Sequence, residues 1–297
     1  MAYDPTLDPY LVGEERAAAL ATAALAEVSR PFGGGLRSLR LSVVLSLSET
    51  VPGARPSSTL LATLLRTPLR EHLGEPSIHV AQGGAGASVA PFANALSSLE
   101  RRDVDAVLFG GVHTDYEPTN IHALHEAGRL FTPKNIDALI PGESAAFVLV
   151  AHRDLATRLG LAPMARIHGT GLGQDESTAY DDASGYRAKG LSAAVRAATK
   201  DLPSEMKVGW AICDHTFEAR RIYEWQAMMT RTREAWCEPM ATDAPAQRIG
   251  HLGGAALPLS LVLASEAFVR GYAAFPLCLC FAGSDGGARG SILVGNA

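Results

Sequence analysis

The sequence predicts a duplicated α/β fold, with two similar halves stacked as layers of helix, sheet, helix, sheet and helix. Three observations predict it. Ala-rich segments of helical period alternate with short apolar runs of strand length. Those runs are apolar on both faces, as in sheets covered from both sides. The order of elements then repeats after roughly 170 residues, a period far above that of solenoid repeats.

In the first half, the segment 14–28 carries the helical pattern, and Leu41–Leu47 follows as an apolar strand with serines interleaved. The glycine-rich turn Gln82-Gly83-Gly84-Ala85-Gly86 feeds a helix over 89–99. The helix leads to a strand ending in glycine, Val104-Asp105-Ala106-Val107-Leu108-Phe109-Gly110-Gly111. A further strand over 144–150 closes the half. The second half repeats this order. A helix over 190–199 precedes a strand over 207–213; Gly250-His251-Leu252-Gly253-Gly254 feeds a helix over 255–268; Pro276-Leu277-Cys278-Leu279-Cys280-Phe281-Ala282-Gly283 reads as the next strand, and 291–294 as the last. The division expected is 1–150 and 151–297. Within the first half, 113–143 is a long connection with its own short helix over 120–127.

The chain has 297 residues, 47% of them hydrophobic and 19% charged, enough apolar material for a large core. A net charge of -5 leaves no basic footprint for nucleic acid. The apolar runs are too short to span a bilayer, and the start, Met1-Ala2-Tyr3-Asp4-Pro5, has neither a basic nor an apolar leader region. No membrane or nucleic-acid partner is expected. Four cysteines, Cys213, Cys237, Cys278 and Cys280, form no disulfide framework and read as reduced, which places the chain in the cytoplasm. Cys278 and Cys280 alternate along a strand, so both should face one side as small core residues. No cofactor or metal site is expected.

In this order the segments resemble the thiolase-like fold of the β-ketoacyl synthases. Asp103–Val112 resembles their strand ending in GG after the nucleophile helix. Ile140–Leu149 resembles their GEGAGVLVL strand, Ile249–Ala256 their motif around the second active-site histidine, and Gly283–Gly290 their terminal glycine-rich loop. A narrower resemblance is to synthase-like proteins encoded beside type VI secretion genes. It rests on Ile140–Val150, on the segment Cys213-Asp214-His215-Thr216-Phe217-Glu218-Ala219-Arg220-Arg221-Ile222-Tyr223-Glu224-Trp225, and on Ser284-Asp285-Gly286-Gly287-Ala288-Arg289-Gly290. The resemblance implies a secretion context with a role in preparing or loading cargo. It also implies a dimer, and it leaves the opening strand and helix of the synthases without a counterpart at the start of the chain. The edge so left would need a cover or a partner strand.

A condensing synthase needs a thiolate to accept the acyl group and histidines to stabilise the developing oxyanion. Carried over by the resemblance, the nucleophile falls on Ala85, whose methyl group cannot be acylated. The turn around it reads either as an anion-binding helix start or as a tight turn that needs glycine. The first synthase histidine falls on His215, stripped of its flanking glycines, with the bulky Phe217 expected to crowd an acyl thioester. The synthase lysine falls on Ala246, and the second histidine is kept as His251. Cys213 is a candidate relocated nucleophile, or an inert buried thiol. Glu143 reads as structural. Arg220, Arg221, Tyr223 and Trp225 read either as a recognition surface or as part of a solvated helix face with an Arg220–Glu224 pair. Three functions follow as expectations: a non-catalytic adaptor binding a secretion adaptor or effector; a cysteine-less, chain-length-factor-like subunit in a heterodimer with a synthase; and an acyltransferase with a relocated nucleophile. A homodimer or heterodimer through the thiolase-like interface is the assembly that the resemblance implies.

Overall fold

The computed structural model describes residues 3–49, 51–52, 57–176, 178–179 and 188–297. In the first half, helix α1 (Gly13–Ser29) precedes β1 (Leu41–Leu47). Helices α2 (Ser58–Leu64) and α3 (Arg66–Leu73) then lead to β2 (Ser77–Ala81). The turn-and-helix α4 (Gly84–Ala87) and α5 (Val89–Glu100) leads to β3 (Ala106–Thr114), then α6 (Pro118–Glu126) and β4 (Glu143–Ala151). Helix α7 (Arg153–Arg158) connects to the second half. There β5 (Arg166–Gln174), α8 (Lys189–Thr199), β6 (Val208–Cys213), α9 (Ala219–Arg231) and β7 (Trp236–Asp243) are followed by α10 (Ala246–Ile249), α11 (Ala256–Arg270), β8 (Leu277–Gly283) and β9 (Ala288–Gly295).

Two sheets result, with orders β2-β1-β3-β4 and β5-β9-β8-β6-β7. In the first, β2, β1 and β3 run parallel and β4 returns antiparallel. In the second, β8, β6 and β7 run parallel, β9 returns antiparallel beside β8, and β5 pairs antiparallel with β9 and so shares the direction of the other three. The strand alternation decides which layer each residue joins. Along β1, Leu41, Val43, Leu45 and Leu47 meet α1, α2 and α3, while Val44 faces the middle of the molecule. Along β8, Cys278, Cys280 and Ala282 face the middle, and Leu277, Leu279 and Phe281 face the outer layer of α8 and α9. The two cysteines thus share one side, as the alternation predicts. Between the sheets lie α5 and α11, whose buried residues Phe92, Leu257 and Leu261 belong to one core with Phe109 and Trp210 of opposite sheets. The layers are therefore α1/α2/α3, sheet, α5/α11, sheet, α8/α9, the five-layer arrangement that the repeat implies.

Three strands escape the periodicity. In β2 the side chains are mostly exposed, so no apolar pattern marks it. In β7, Pro239 and mixed polarity hide a strand that lies at a sheet edge, where a residue without an N–H is tolerated. In β5, glycines stand at 169, 171 and 173. They read as loop, yet they are what the packing needs: a Cβ on Gly169, Gly171 or Gly173 would lie 2.3, 1.8 and 1.9 Å from the carbonyl oxygens of Ala198, Ala194 and Gly190. Those three residues are spaced four apart along one face of α8, so strand and helix meet backbone to backbone. By element order α1 corresponds to α8. The position that β5 takes beside β9 has no counterpart beside β4 among the described strands, where β4 pairs with β3 alone.

Among the described residues one helical segment, Gly253–Arg270, is long and apolar enough by composition to cross a membrane, where the sequence pattern predicts no run of that length. It contains α11, and most of the α11 side chains from Ala256 to Phe268 that face the sheets are buried in the central core.

Candidate functional site

Ser48 follows the last residue of β1, and His113 stands near the end of β3. The two strands are parallel neighbours with Leu47 beside Val112, so one more step of the register sets Ser48 beside His113. The carboxyl ends of such strands are where α/β folds build their clefts. Ser48 Oγ lies 2.7 Å from His113 Nδ1. On the far side of the ring, His113 Nε2 stands 3.0 Å from Asp115 Oδ2, close in distance but bent away from a straight hydrogen bond. Asp115 is 1% exposed and accepts from Asn120 Nδ2 at 2.6 Å, from the Gly142 N–H at 3.1 Å and from His251 Nδ1 at 3.3 Å. The two histidine rings meet edge to face, with centroids 4.4 Å apart. Gly253 makes this approach possible. A Cβ there would stand 2.2 Å from Ser48 Oγ and 2.4 Å from the His113 ring. The neighbouring Gly254 N–H donates to Ser48 Oγ at 2.8 Å.

Burial opposes the charge of Asp115, but the adjacent His113 and His251 outweigh it and hold the carboxyl far below the usual carboxylate range. Burial likewise opposes protonation of His251, and Asp115 reverses it, so His251 titrates above its ordinary value. His113, Asp115 and His251 bring one donor atom each within 4.8 Å of one another, as a cation site would. Asp115 Oδ2 is already in contact with three donors, which favours a hydrogen-bonded cluster over a metal centre.

The same cleft is lined by Ala85, Glu49, Arg129, Thr216 and Ser284. Ala85 is buried in α4 and lines the cleft. Gly84 takes φ +75°, and a Cβ on Gly86 would stand 2.4 Å from the carbonyl oxygen of Ala288. The Gly86 N–H is taken by Ser284 Oγ at 3.1 Å. The turn therefore uses its glycines for a left-handed residue and a close backbone approach.

The other sequence candidates scatter. His215 is buried between the rings of Trp225 and Phe281, outside the cleft lining, and its Nε2 has no hydrogen-bond partner among the described residues. Burial, with Arg221 nearby, pushes its pKa down to about 4, so it is neutral near pH 7. Phe217 is exposed and leans on Phe131, so it does not crowd the cleft. Ala246 lies in the central core. Cys213 is fully buried with Sγ 3.4 Å from the Asp243 carbonyl oxygen, and burial pushes its thiol up to about 12, against a nucleophilic role.

The segment 214–225 and the terminal segment 284–290 come together in two largely buried ion clusters. Arg221 pairs with Asp214 at 2.7 Å and also with Glu224. Arg289 binds Glu224, the Ser284 carbonyl oxygen and Asp175. Arg129 pairs with Glu218 at 2.9 Å and Asp285 at 2.7 Å, and Arg220 joins the same two acids. The expected Arg220–Glu224 pair is thus replaced by Arg221–Glu224, one residue on. Arg221 is buried and Trp225 half-buried, so of the four proposed recognition residues Tyr223 alone is fully exposed. Glu143 binds Arg16 through two nitrogens, at 2.6 and 2.8 Å, and both side chains are almost wholly buried. This bidentate pair ties β4 to α1, a structural task.

No local sequence pattern reveals the Ser48–His113–Asp115 cluster, because Ser48 lies 65 residues from His113 and the two sit on different strand ends. The one signal that points to it is the alignment of two apolar strands, each ending in a polar residue.

No family model and no curated protein matches the chain. Among solved structures it is similar to the ketosynthase from module 6 of the bacillaene synthase of Bacillus subtilis 168, with 16% identity, a TM-score of 0.76 and coverage of 100% of this chain and 62% of that one. It is also similar to the ishigamide ketosynthase/chain length factor, at 18% identity, TM-score 0.77 and coverage of 99% and 87%. A third is the type II polyketide synthase ketosynthase of the AntDE:AntF complex with its acyl-carrier protein, at 13% identity, TM-score 0.75 and coverage of 97% and 86%. The chain spans less than two thirds of the length of the bacillaene ketosynthase. These similarities, with the paired sheets and five layers above, give the chain the thiolase-like fold of the ketosynthases.

Proposed function

We propose that this chain is a non-condensing, ketosynthase-like subunit that pairs with a cysteine-bearing ketosynthase, in the manner of a chain length factor. The observation that carries this reading is Ala85. The cleft residue at the glycine-rich helix entrance, facing the same space as His251, has a methyl group and no thiol. A condensing enzyme stores its acyl group as a thioester on that residue, and a methyl group cannot hold one. The similarity to the ishigamide ketosynthase/chain length factor supports a partner-subunit role. The test is capture of the tagged protein from its native host with mass spectrometry of what it brings down. A Cys-bearing synthase, with or without an acyl carrier protein, is the expected result. Recovery of neither sinks the reading.

A second reading keeps the adaptor of a type VI secretion system. It rests on the 213–225 and 284–290 segments, whose acids and arginines interlock through Glu224–Arg289 and through Arg220–Asp285. That interlocking gives a physical reason for the two segments to occur together in the resemblance. In the same capture experiment, this reading expects a secretion adaptor or effector in place of the synthase.

A further inference from the structure

We propose that Ser48, His113 and Asp115 form a nucleophilic relay that cleaves acyl esters or thioesters bound in the cleft. This goes beyond the partner-subunit reading and does not depend on it, because it concerns the end of β1 and not the Ala85 turn. The geometry carries it. Ser48 Oγ is 2.7 Å from one nitrogen of His113, and the other nitrogen faces Asp115 at 3.0 Å. The relay uses the tautomer in which the serine hydroxyl donates to Nδ1 and Nε2–H points toward the carboxylate. Ser48 is half-buried and lines the cleft, whereas Asp115 sits behind the ring, 1% exposed and fixed by Asn120 and the Gly142 N–H. A nucleophile in front, a base between and a buried acid behind is the order that such chemistry requires. His251 adds the fourth part. Its Nδ1 is held by the same carboxylate, and its ring edge faces the cleft beside His113, where it can donate to a developing oxyanion.

The reaction balances with water as the only co-reactant. His113 Nδ1 takes the Ser48 hydroxyl proton as Oγ attacks the acyl carbon. The carbon–sulfur or carbon–oxygen bond breaks, and the leaving thiolate or alkoxide takes the proton back from His113. Water then adds to the Ser48 ester, His113 removes its proton, and the carboxylic acid leaves as Oγ is reprotonated. Ser48 and His113 touch the reacting atoms; Asp115 is a positioning residue that acts through His113. The straightening of the bent His113–Asp115 contact belongs to the liganded state, since such bonds commonly tighten only when substrate is bound.

The test uses the full chain with three probes: p-nitrophenyl butyrate, butyryl-N-acetylcysteamine, and a fluorophosphonate. Expected results are a single fluorophosphonate adduct on Ser48 by peptide mass spectrometry, and turnover of both butyryl substrates. Turnover should fall at least about 100-fold in Ser48→Ala and in His113→Gln at unchanged circular dichroism. Asp115→Asn should shift the pH–rate profile, a readout that loss of packing alone would not move. If Ser48→Ala does not fold, Ser48→Cys replaces it, and its thiol should be alkylated by iodoacetamide and the fluorophosphonate adduct lost. The proposal is overturned by an intact protein with no adduct on Ser48, by turnover that survives Ser48→Ala, or by turnover that needs added Zn²⁺ and stops with a chelator. None of these outcomes bears on whether a synthase is captured.

Discussion

Among single residues, burial decides chemistry more than identity does. His215 and His251 both fall on histidine positions of the synthase resemblance, yet their surroundings push them opposite ways. His215 is buried among aromatic rings with Arg221 nearby, and its pKa drops to about 4. Its unfolded value is near 6.5, so between those limits the unfolded chain binds the extra proton. Stability is therefore full above pH 6.5 and falls as pH drops toward 4, by about 1.4 kcal/mol for each pH unit inside that window. Replacing the imidazole by an apolar side chain in His215→Leu should flatten the melting temperature over this window. An unchanged slope would mean that the ring is hydrated. The buried carboxylates act lower. Burial disfavours the Glu224 carboxylate, but Arg221 and Arg289 outweigh it and hold it at about 2, against an ordinary 4.5. Its contribution is whole above pH 4.5 and is lost as pH falls through about 2. The cysteines give a second check. Iodoacetamide at alkaline pH should label the half-buried Cys237 and leave Cys213, Cys278 and Cys280 unreacted in the folded protein. Labelling of Cys213 would revive it as a nucleophile.

Between elements, two contacts of the second half stand apart from its apolar core, because neither rests on large apolar side chains. Strand β5 meets α8 through glycines, and any Cβ at Gly171 would lie 1.8 Å from a carbonyl oxygen. Gly171→Val should destabilise the protein by more than about 3 kcal/mol, since the backbone itself must move. A loss below about 1 kcal/mol in urea titration would show that strand and helix stand further apart. The ion network ties α9 to the terminal loop. Glu224→Ala leaves Arg221 and Arg289 short of a partner in the interior, an effect of about 3–5 kcal/mol. Glu224→Gln should lose less, because the amide oxygen still accepts a hydrogen bond. In the sequence these segments read as a mixed-charge surface. A helical wheel cannot reveal that Asp285, in the loop before β9, and Arg289, in β9 itself, close over them.

For the whole molecule, the central layer sets cooperativity. Helices α5 and α11 share one core with both sheets, so neither half can unfold while the other keeps its inner face covered. Leu257, fully buried in α11, touches this shared core. Leu257→Ala should lower stability by about 2–5 kcal/mol while unfolding stays a single transition by both fluorescence and circular dichroism. Two separated transitions would show that the halves are independent. The same layer positions the cleft, because the helix entrances of α4 and α11 bring the Ala85 turn and the Gly250–Gly254 turn against the ends of β1 and β3.

The layers were legible in the residues alone. Alternation of apolar strands with Ala-rich helices, repeated once, dictates which faces must be buried, and burial of apolar area is the main force that drives folding. The alanine at position 85 was legible too, because a side-chain identity needs no structure to be read. The outer strands β2, β5 and β7 were not, since exposure, proline and glycine erase the period of two in strands whose pairing depends on neighbours far along the chain. The site emerged with the folded chain. The register of parallel strands set Ser48 beside His113, the turn after β3 put Asp115 behind them, and packing of α9 buried His215 away from the cleft. Strand register and loop closure are long-range facts, fixed by the packing of the whole core and not by any local pattern.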